Sequence, residues 1–270
     1  MNKHFSYKSE KQLWRILISD SDKLILETRD TETKEVFFNC FELENSNGVF
    51  SDLQLEEKYW LGIEAIYKEI IFFHKFPKRD LPGHKEIVAF DIATQKILWT
   101  NSDYTFQFIY RDKVYCFTQG FEERKYIVLD YLSGELLEEL GNNYLLINQL
   151  RAEADASVDW NQYIYPNRLN ESEDENVRNL IESKKGKVQL TGDIEYNIFK
   201  NLLLYNFHEE IAKDKFTNKF RIIDQNSSKV TFEEILNENV STLFADSFFV
   251  YKNFLFLLKG KNGVDVFRLD

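Results

Sequence analysis

Three stretches of this chain share one pattern: KEIVAFDIATQKILWT (85–100), RKYIVLDYLSGELLEEL (124–140) and KFRIIDQNSSKVTFEEIL (219–236). In each, an apolar strand ends in an aspartate (Asp91, Asp130, Asp224), two residues follow, and Thr94, Ser133 or Ser227 precedes a second apolar strand. Alternation of period two marks both arms as half-buried strands, and Asp-x-x-Thr/Ser is turn chemistry. The carboxylate accepts backbone N–H groups of the turn, so these aspartates are read as turn closures rather than catalytic acids. The next residue is Gln95, Gly134 or Ser228, and only the glycine suits a left-handed position without strain.

Each hairpin follows another pair of strands. These pairs are TFQFIY to VYCFTQ (105–119), LGIEAI to IIFFHKF (61–76) and YNIF to LLLYNF (196–207), with SFFVY to FLFLLKG (247–260) and WRILIS to LILETRD (14–30) completing the series. Four strands recurring about every 42 to 50 residues are the signature of a propeller blade. The last strand, GVDVFRLD, stops at Asp270, where the other third strands reach their turn aspartate, so a fourth strand is missing there. Residues His4–Lys8 can supply it, pairing the two chain ends and closing the ring. The expectation is therefore an all-β, single-domain β-propeller (1–270) of about six four-stranded blades. Blades fall at 13–55, 60–101, 104–140, 193–236 and 243–270 with 1–8, and an irregular blade or insertion occupies 141–192. Within that irregular part, NYLLINQLRA (143–152) and WNQYIYP (160–166) read as inner strands and KVQLTG (187–192) as an outer one. The acidic segment between them has helical spacing at Val177, Leu180 and Ile181, which predicts a short helix around 172–184 with Gly186 as its stop.

The stretch IVAFDIATQKILWTN (87–101) resembles the repeat of quinoprotein-type propellers, with Gln95 where that motif has glycine. The resemblance implies that Trp99 docks between blades. Blade three departs from the motif, with Glu138 or Glu139 where its tryptophan would stand. The longer run YWLGIEAIYKEIIFFHKFPKRDLPGHKEIVAFDIATQKILW (59–99) is similar to an uncharacterised bacterial propeller-like family, a domain of unknown function, which brings no activity with it. Quinoprotein dehydrogenases hold a cofactor with calcium in the periplasm. No export signal or adjacent-cysteine pair accompanies the repeat here, so no cofactor is expected.

Composition narrows the partners. Lys and Arg number 34 against 45 for Asp and Glu, a net charge of −11, which repels phosphate backbones and argues against nucleic acid. No segment is apolar for long enough to span a bilayer, and Cys40 and Cys116 read as buried free thiols, so a cytoplasmic protein without a membrane role is expected.

Four histidines occur, His4, His74, His84 and His208, without the local spacing of a metal motif. His74 and His84 flank the proline-containing loop FPKRDLPGHK (76–85) and read as hairpin or surface residues, so no metal site is expected. The acid in LGIEAI either faces a central channel or pairs with a cation. Glu64, Gln107, Glu195 and Asp246 then form a candidate polar lining of the axis. The strongest candidate for partner binding is ASVDWNQYIYPNRLN (156–170), which interrupts the repeat and groups Asp159, Trp160, Tyr163, Tyr165 and Arg168, residue types favoured at binding hot spots. No nucleophile elbow, P-loop or dinucleotide fingerprint is present, so no catalytic residue is assigned. The reading is a non-catalytic binding or scaffold module with a protein or peptide partner. The alternative is an enzyme (a hydrolase or lyase) or a small-molecule sensor using the channel acids.

Overall fold

The aspartate turns form as the sequence requires. In the computed structural model, which describes residues 1–76, 83–121, 123–169, 174–186 and 190–269, Asp91 accepts from the Thr94 N–H (2.6 Å) and hydroxyl (2.8 Å). Asp130 accepts from the N–H groups of Leu132 and Ser133 and from the Ser133 hydroxyl, and Asp224 from the N–H and hydroxyl of Ser227. Gln95, Gly134 and Ser228 all take positive φ (56°, 73° and 52°), so the left-handed position exists in every copy although one alone carries glycine. The same local turn also forms where the repeat does not place it, between the second and third strands of the first sheet. Asp30 accepts from the N–H groups of Glu32 and Thr33, both at 2.8 Å, and Lys34 has φ 67°. Donation from the turn, chiefly from Thr33, Ser133 and Ser227, holds the carboxyls of Asp30, Asp130 and Asp224 below the usual range.

Two units are described separately. The unit of residues 10–159 holds three four-stranded antiparallel sheets, each ordered along the chain. The first contains β2 (Gln12–Ile18), β3 (Lys23–Arg29), β4 (Val36–Glu42) and β5 (Gly48–Leu53). The second contains β6 (Leu61–Tyr67), β7 (Ile70–Lys75), β8 (Lys85–Asp91) and β9 (Lys96–Asn101). The third contains β10 (Thr105–Tyr110), β11 (Lys113–Gln119), β12 (Arg124–Asp130) and β13 (Leu136–Gly141). Central strands such as Leu24–Leu26 and Ile71–Phe73 are fully buried, as continuous apolar runs should be.

One apolar cluster joins the first sheet to the second through Phe38, Phe73 and Phe90, and another joins the second to the third through Phe72, Trp99 and Phe106. Trp99 is the docking residue expected of it. Its indole N–H donates to the Tyr131 carbonyl at 3.1 Å, and its ring lies against Gly134, where a Cβ would stand 2.6 Å from the indole.

The other unit comprises residues 1–9 and 160–270. One of its sheets is ordered β1 (Lys3–Lys8), β22 (Gly263–Arg268), β21 (Phe254–Lys259), β20 (Phe248–Tyr251), β14 (Tyr163–Ile164). The second runs β15 (Asn167–Arg168), β16 (Leu190–Phe199), β17 (Leu202–Ala212), β18 (Lys215–Asp224), β19 (Lys229–Val240). The N-terminal strand pairs antiparallel with the last strand, from Phe5 opposite Val266 to Lys8 opposite Gly263. Asp265, almost buried, fastens this pairing. It meets Lys3 at 2.8 Å, the Ser6 hydroxyl at 2.5 Å and Lys259 at 3.0 Å.

The irregular segment departs from the expectation of a sixth blade. Among the described residues there are five sheets, and 141–192 contributes none of its own. Residues 144–156 form a helix, α1 (Tyr144–Ala156), instead of an inner strand. Asn143 caps it, and Ile147, Leu150 and Ala154 recur at helical spacing to pack on Phe108, Tyr126 and Val128. Residues 160–162 make a 3-10 turn, and β14 and β15, two residues each, extend existing sheets. Leu190 and Thr191 open β16 rather than forming a separate outer strand, while 187–189 lie outside the described residues. The expected helix is present as α2 (Glu175–Lys184), with Val177 and Ile181 buried and Asp174 as its N-cap; its expected start at 172–173 lies outside the described residues.

Two outcomes follow. Trp99→Ala removes a buried ring and its hydrogen bond, and should cost about 3–5 kcal/mol in urea unfolding. Burial alone would raise the Asp265 carboxyl, but Lys3, Ser6 and Lys259 together hold it below the usual value. A carboxylate lowered in the folded state contributes stability that is complete above about pH 4 and is lost as pH falls through the folded value. Hydrogen exchange in residues 3–8 should therefore accelerate ahead of the other strands on acidification. Asp265→Asn should reproduce that loosening at neutral pH, at a cost of roughly 2 kcal/mol.

Candidate functional site

The first and second strands of each sheet in the 10–159 unit slip register once. The slips fall between Leu13 and Arg15, between Ile63 and Ala65, and between Phe106 and Phe108, leaving Trp14, Glu64 and Gln107 as the bulged residues. A bulge re-aims its side chain, which is why an acid stands inside the apolar strand LGIEAI. The carbonyl of Ile63 beside the bulge accepts from the Arg15 guanidinium at 2.5 Å.

Glu64 meets two imidazoles. Its Oε1 lies 2.5 Å from His84 Nδ1 and 3.2 Å from His74 Nδ1. The two rings stack face to face, with centroids 3.6 Å apart and planes 7° from parallel, and Phe76 abuts both edge-on. His74 is 1% exposed, and neither of its ring nitrogens has a hydrogen bond of acceptable geometry. Gly62 stands opposite His74 across the strand pair and makes room for it, since a Cβ there would be 2.8 Å from His74 Cε1 and 2.9 Å from Nε2. His84 is tied to the third sheet by its carbonyl, which accepts from the Thr105 hydroxyl at 3.2 Å. Burial pushes the Glu64 carboxyl up, but the two imidazoles beside it, His74 and His84, outweigh burial and hold the group below its usual value. Three donor atoms, one oxygen and two nitrogens, thus converge within 4.8 Å of one another.

Spacing along the chain conceals this cluster, because Glu64, His74 and His84 come from β6, β7 and the segment before β8. The legible signal is Gly62, a glycine inside a strand and across from a histidine, two residues before the acid that breaks the apolar alternation. The remaining channel candidates are dispersed in role. Gln107 is half-buried, with its Oε1 unpartnered. Glu195 is buried and accepts from Asn206 Nδ2 at 3.0 Å and from the backbone N–H of Asp246 at 2.8 Å, while the Asp246 side chain is exposed. Glu195 and Asp246 therefore form a structural contact inside the 160–270 unit. His208 is buried in the same unit and accepts the Phe244 N–H at 3.0 Å, its protonation opposed by burial.

The aromatic segment forms a surface feature. Trp160 and Tyr165 are 61% and 55% exposed. Tyr163 lies between them, 6.0 Å from each ring, and its plane is 2° from that of Tyr165. Tyr163 and Tyr165 rest in turn on Tyr251 and Phe249 of β20. Asn197 pins the Tyr165 carbonyl at 2.7 Å, and Gln162 accepts from the Lys252 N–H at 2.7 Å. Arg168 lies 3.9 Å from Asp193 on the same unit, and the exposed Asp159 ends the other unit. Cys40 and Cys116 are buried free thiols, each pushed up to about 12 by burial, which leaves them poor nucleophiles.

Residues 18–99 match a family described as Domain of unknown function (DUF4905). That segment contains Glu64, His74 and His84. No curated protein matches the chain. Among solved structures, it is similar to the uncharacterized protein lmo1340 from Listeria monocytogenes EGD-e, at 11% identity and TM-score 0.34, covering 97% of this chain and 95% of that one. Hsv2 of Kluyveromyces lactis is similar at 11% identity and TM-score 0.30, covering 96% and 74%. TolB from Acinetobacter baumannii is similar at 13% identity and TM-score 0.32, covering 96% and 55%. Likeness at these scores says nothing of what this chain does. No helix among the described residues is long and apolar enough to cross a membrane.

The Gly62 cradle is testable directly. Gly62→Ala forces a Cβ against a ring held between His84 and Phe76, so unfolding stability should fall by about 1–3 kcal/mol. The histidine ring proton resonances should shift with it. Unchanged stability and spectra would show that the ring is not wedged.

Proposed function

We propose that this chain is a non-catalytic binding module of the propeller class, with a protein or peptide partner. The observation that carries the reading is the shelf of exposed Trp160, half-buried Tyr163 and exposed Tyr165, with both tyrosines resting on aromatic rings of β20. Aromatic side chains offer large contact area at small entropic cost, and such residues dominate binding hot spots. The 6.0 Å interval between Tyr163 and Tyr165 is close to the advance of two residues in an extended chain, about 6.6 Å. An extended peptide laid along the shelf therefore sets alternate side chains over successive rings. The propeller reading is supported by successive four-stranded antiparallel sheets and their aspartate turns, and a reducing, cytoplasmic setting by two buried free thiols.

The second reading, a small-molecule sensor or a hydrolase or lyase built on first-strand acids, is supported by Glu64, whose carboxylate is kept ionised between two imidazoles.

Selection from a random linear-peptide display library tests the preferred reading. Enriched peptides should bind the wild-type chain with micromolar Kd and bind the Trp160→Ala/Tyr165→Ala variant at least tenfold more weakly, a difference of about 1.4 kcal/mol. Equal binding by both proteins, or no enrichment over the double variant, would overturn it.

A further inference from the structure

We propose that Glu64, His74 and His84 form a binding site for a borderline divalent transition-metal ion, of which zinc is the type. The inference concerns the 10–159 unit alone and does not depend on the aromatic shelf.

The donor set decides the class of ion. Two imidazole nitrogens and one carboxylate oxygen suit zinc, cobalt or nickel, whereas magnesium and calcium take shells of oxygen. Three side-chain donors leave a tetrahedral position open for water or for a donor atom of a bound molecule.

Geometry supports the same conclusion at two points. Donors around a tetrahedral ion with bonds of about 2.0–2.1 Å stand about 3.3 Å apart, and His74 Nδ1 already lies 3.2 Å from Glu64 Oε1. That approach is made without hydrogen-bond geometry, although His74 is 1% exposed. Buried polar atoms without partners are rare, and an ion is one of the few things that explains them. Gly62 gives up strand stability to admit the ring, and Phe76 seals its edge.

The third donor has to move. The His84–Glu64 contact at 2.5 Å is a hydrogen bond, shorter than two ligands of one ion allow. The rings are also parallel, so their in-plane lone pairs cannot both point at one atom between them. His84 is the ring able to rotate, because its side chain is 35% exposed while that of His74 is 1% exposed. Ion binding therefore fans the stack open. It replaces the His84–Glu64 hydrogen bond with bonds from both residues to the metal, and the His84 Nδ1 proton leaves to solvent if that nitrogen carries it.

The test uses the full chain stripped with chelator and exchanged into metal-free buffer. Zinc chloride is titrated calorimetrically, and cobalt chloride is followed by visible absorption. The expected result is one equivalent of zinc bound with micromolar affinity or better, and a tetrahedral cobalt spectrum. Glu64→Gln and His84→Ala, both at partly exposed side chains and checked for wild-type thermal unfolding, should each weaken zinc binding at least about thirtyfold. His4→Ala should leave it unchanged. Addition of zinc should also move the ring protons of His74 and His84 as the stack opens. The proposal is overturned if no saturable one-to-one zinc binding occurs at micromolar concentration. It is equally overturned if both variants bind as wild type does, or if calcium or magnesium is preferred to zinc.

Discussion

A carboxylate that accepts the N–H groups of its own turn closes four hairpins of this protein and fixes their register. At Asp91, Asp130 and Asp224 the closure includes the hydroxyl of the residue three positions on, and at Asp30 it uses backbone alone. Register matters because a slip of one residue would turn every apolar side chain to the opposite face. With Asp91 closing the hairpin of β8 and β9, Ala89 pairs with Trp99, and the indole comes to rest against Gly134 of the neighbouring sheet. The turn therefore controls packing between sheets as well as pairing within one.

Strand register, here without an aspartate turn, also builds the Glu64 cluster. Pairing of β6 with β7 sets Gly62 opposite His74, and the bulge two residues later swings Glu64 out of strict alternation. Continued pairing of β7 with β8 sets His74 opposite Ile87, three residues beyond His84, which brings the second imidazole back over the first. The three donors therefore come from two consecutive strand pairings and the residue just before β8.

Where strands alternate cleanly, the sequence was legible. The boundaries of the three sheets between residues 12 and 141 fall within a few positions of the blades read from period-two patterning, and the N-terminal strand pairs with the last strand as its place in the pattern required. Residues 143–152 read as an inner strand because NYLLINQLRA is rich in apolar residues, and a short run does not distinguish the two periods. The distinguishing residues were Ile147, Leu150 and Ala154, which lie on one helical face, and Asn143, which caps it. The histidine cluster was hidden for another reason. Motif spacing reports on ligands of one helix or one loop, whereas a meander gathers residues that are ten and twenty positions apart. Bulges compound the difficulty, because they leave no mark in apolar alternation beyond one misplaced polar residue.

The three sheets of the 10–159 unit show that the cluster is not a demand of the backbone. The bulged position is Trp14 in the first sheet, Glu64 in the second and Gln107 in the third. The strand pair two residues before it is Gln12 with Arg29, Gly62 with His74, and Thr105 with Phe117. One backbone arrangement thus accepts an exposed indole, a carboxylate or an amide at the bulge, and small or large residues beside it. Placing a carboxylate and two imidazoles there carries desolvation that the threonine–phenylalanine pair of the third sheet avoids, and placing glycine in a strand weakens it further. A chain selected only for folding gains nothing from that choice. Local rules broken together at one place, on a frame that tolerates the alternatives elsewhere, are what a site for binding looks like.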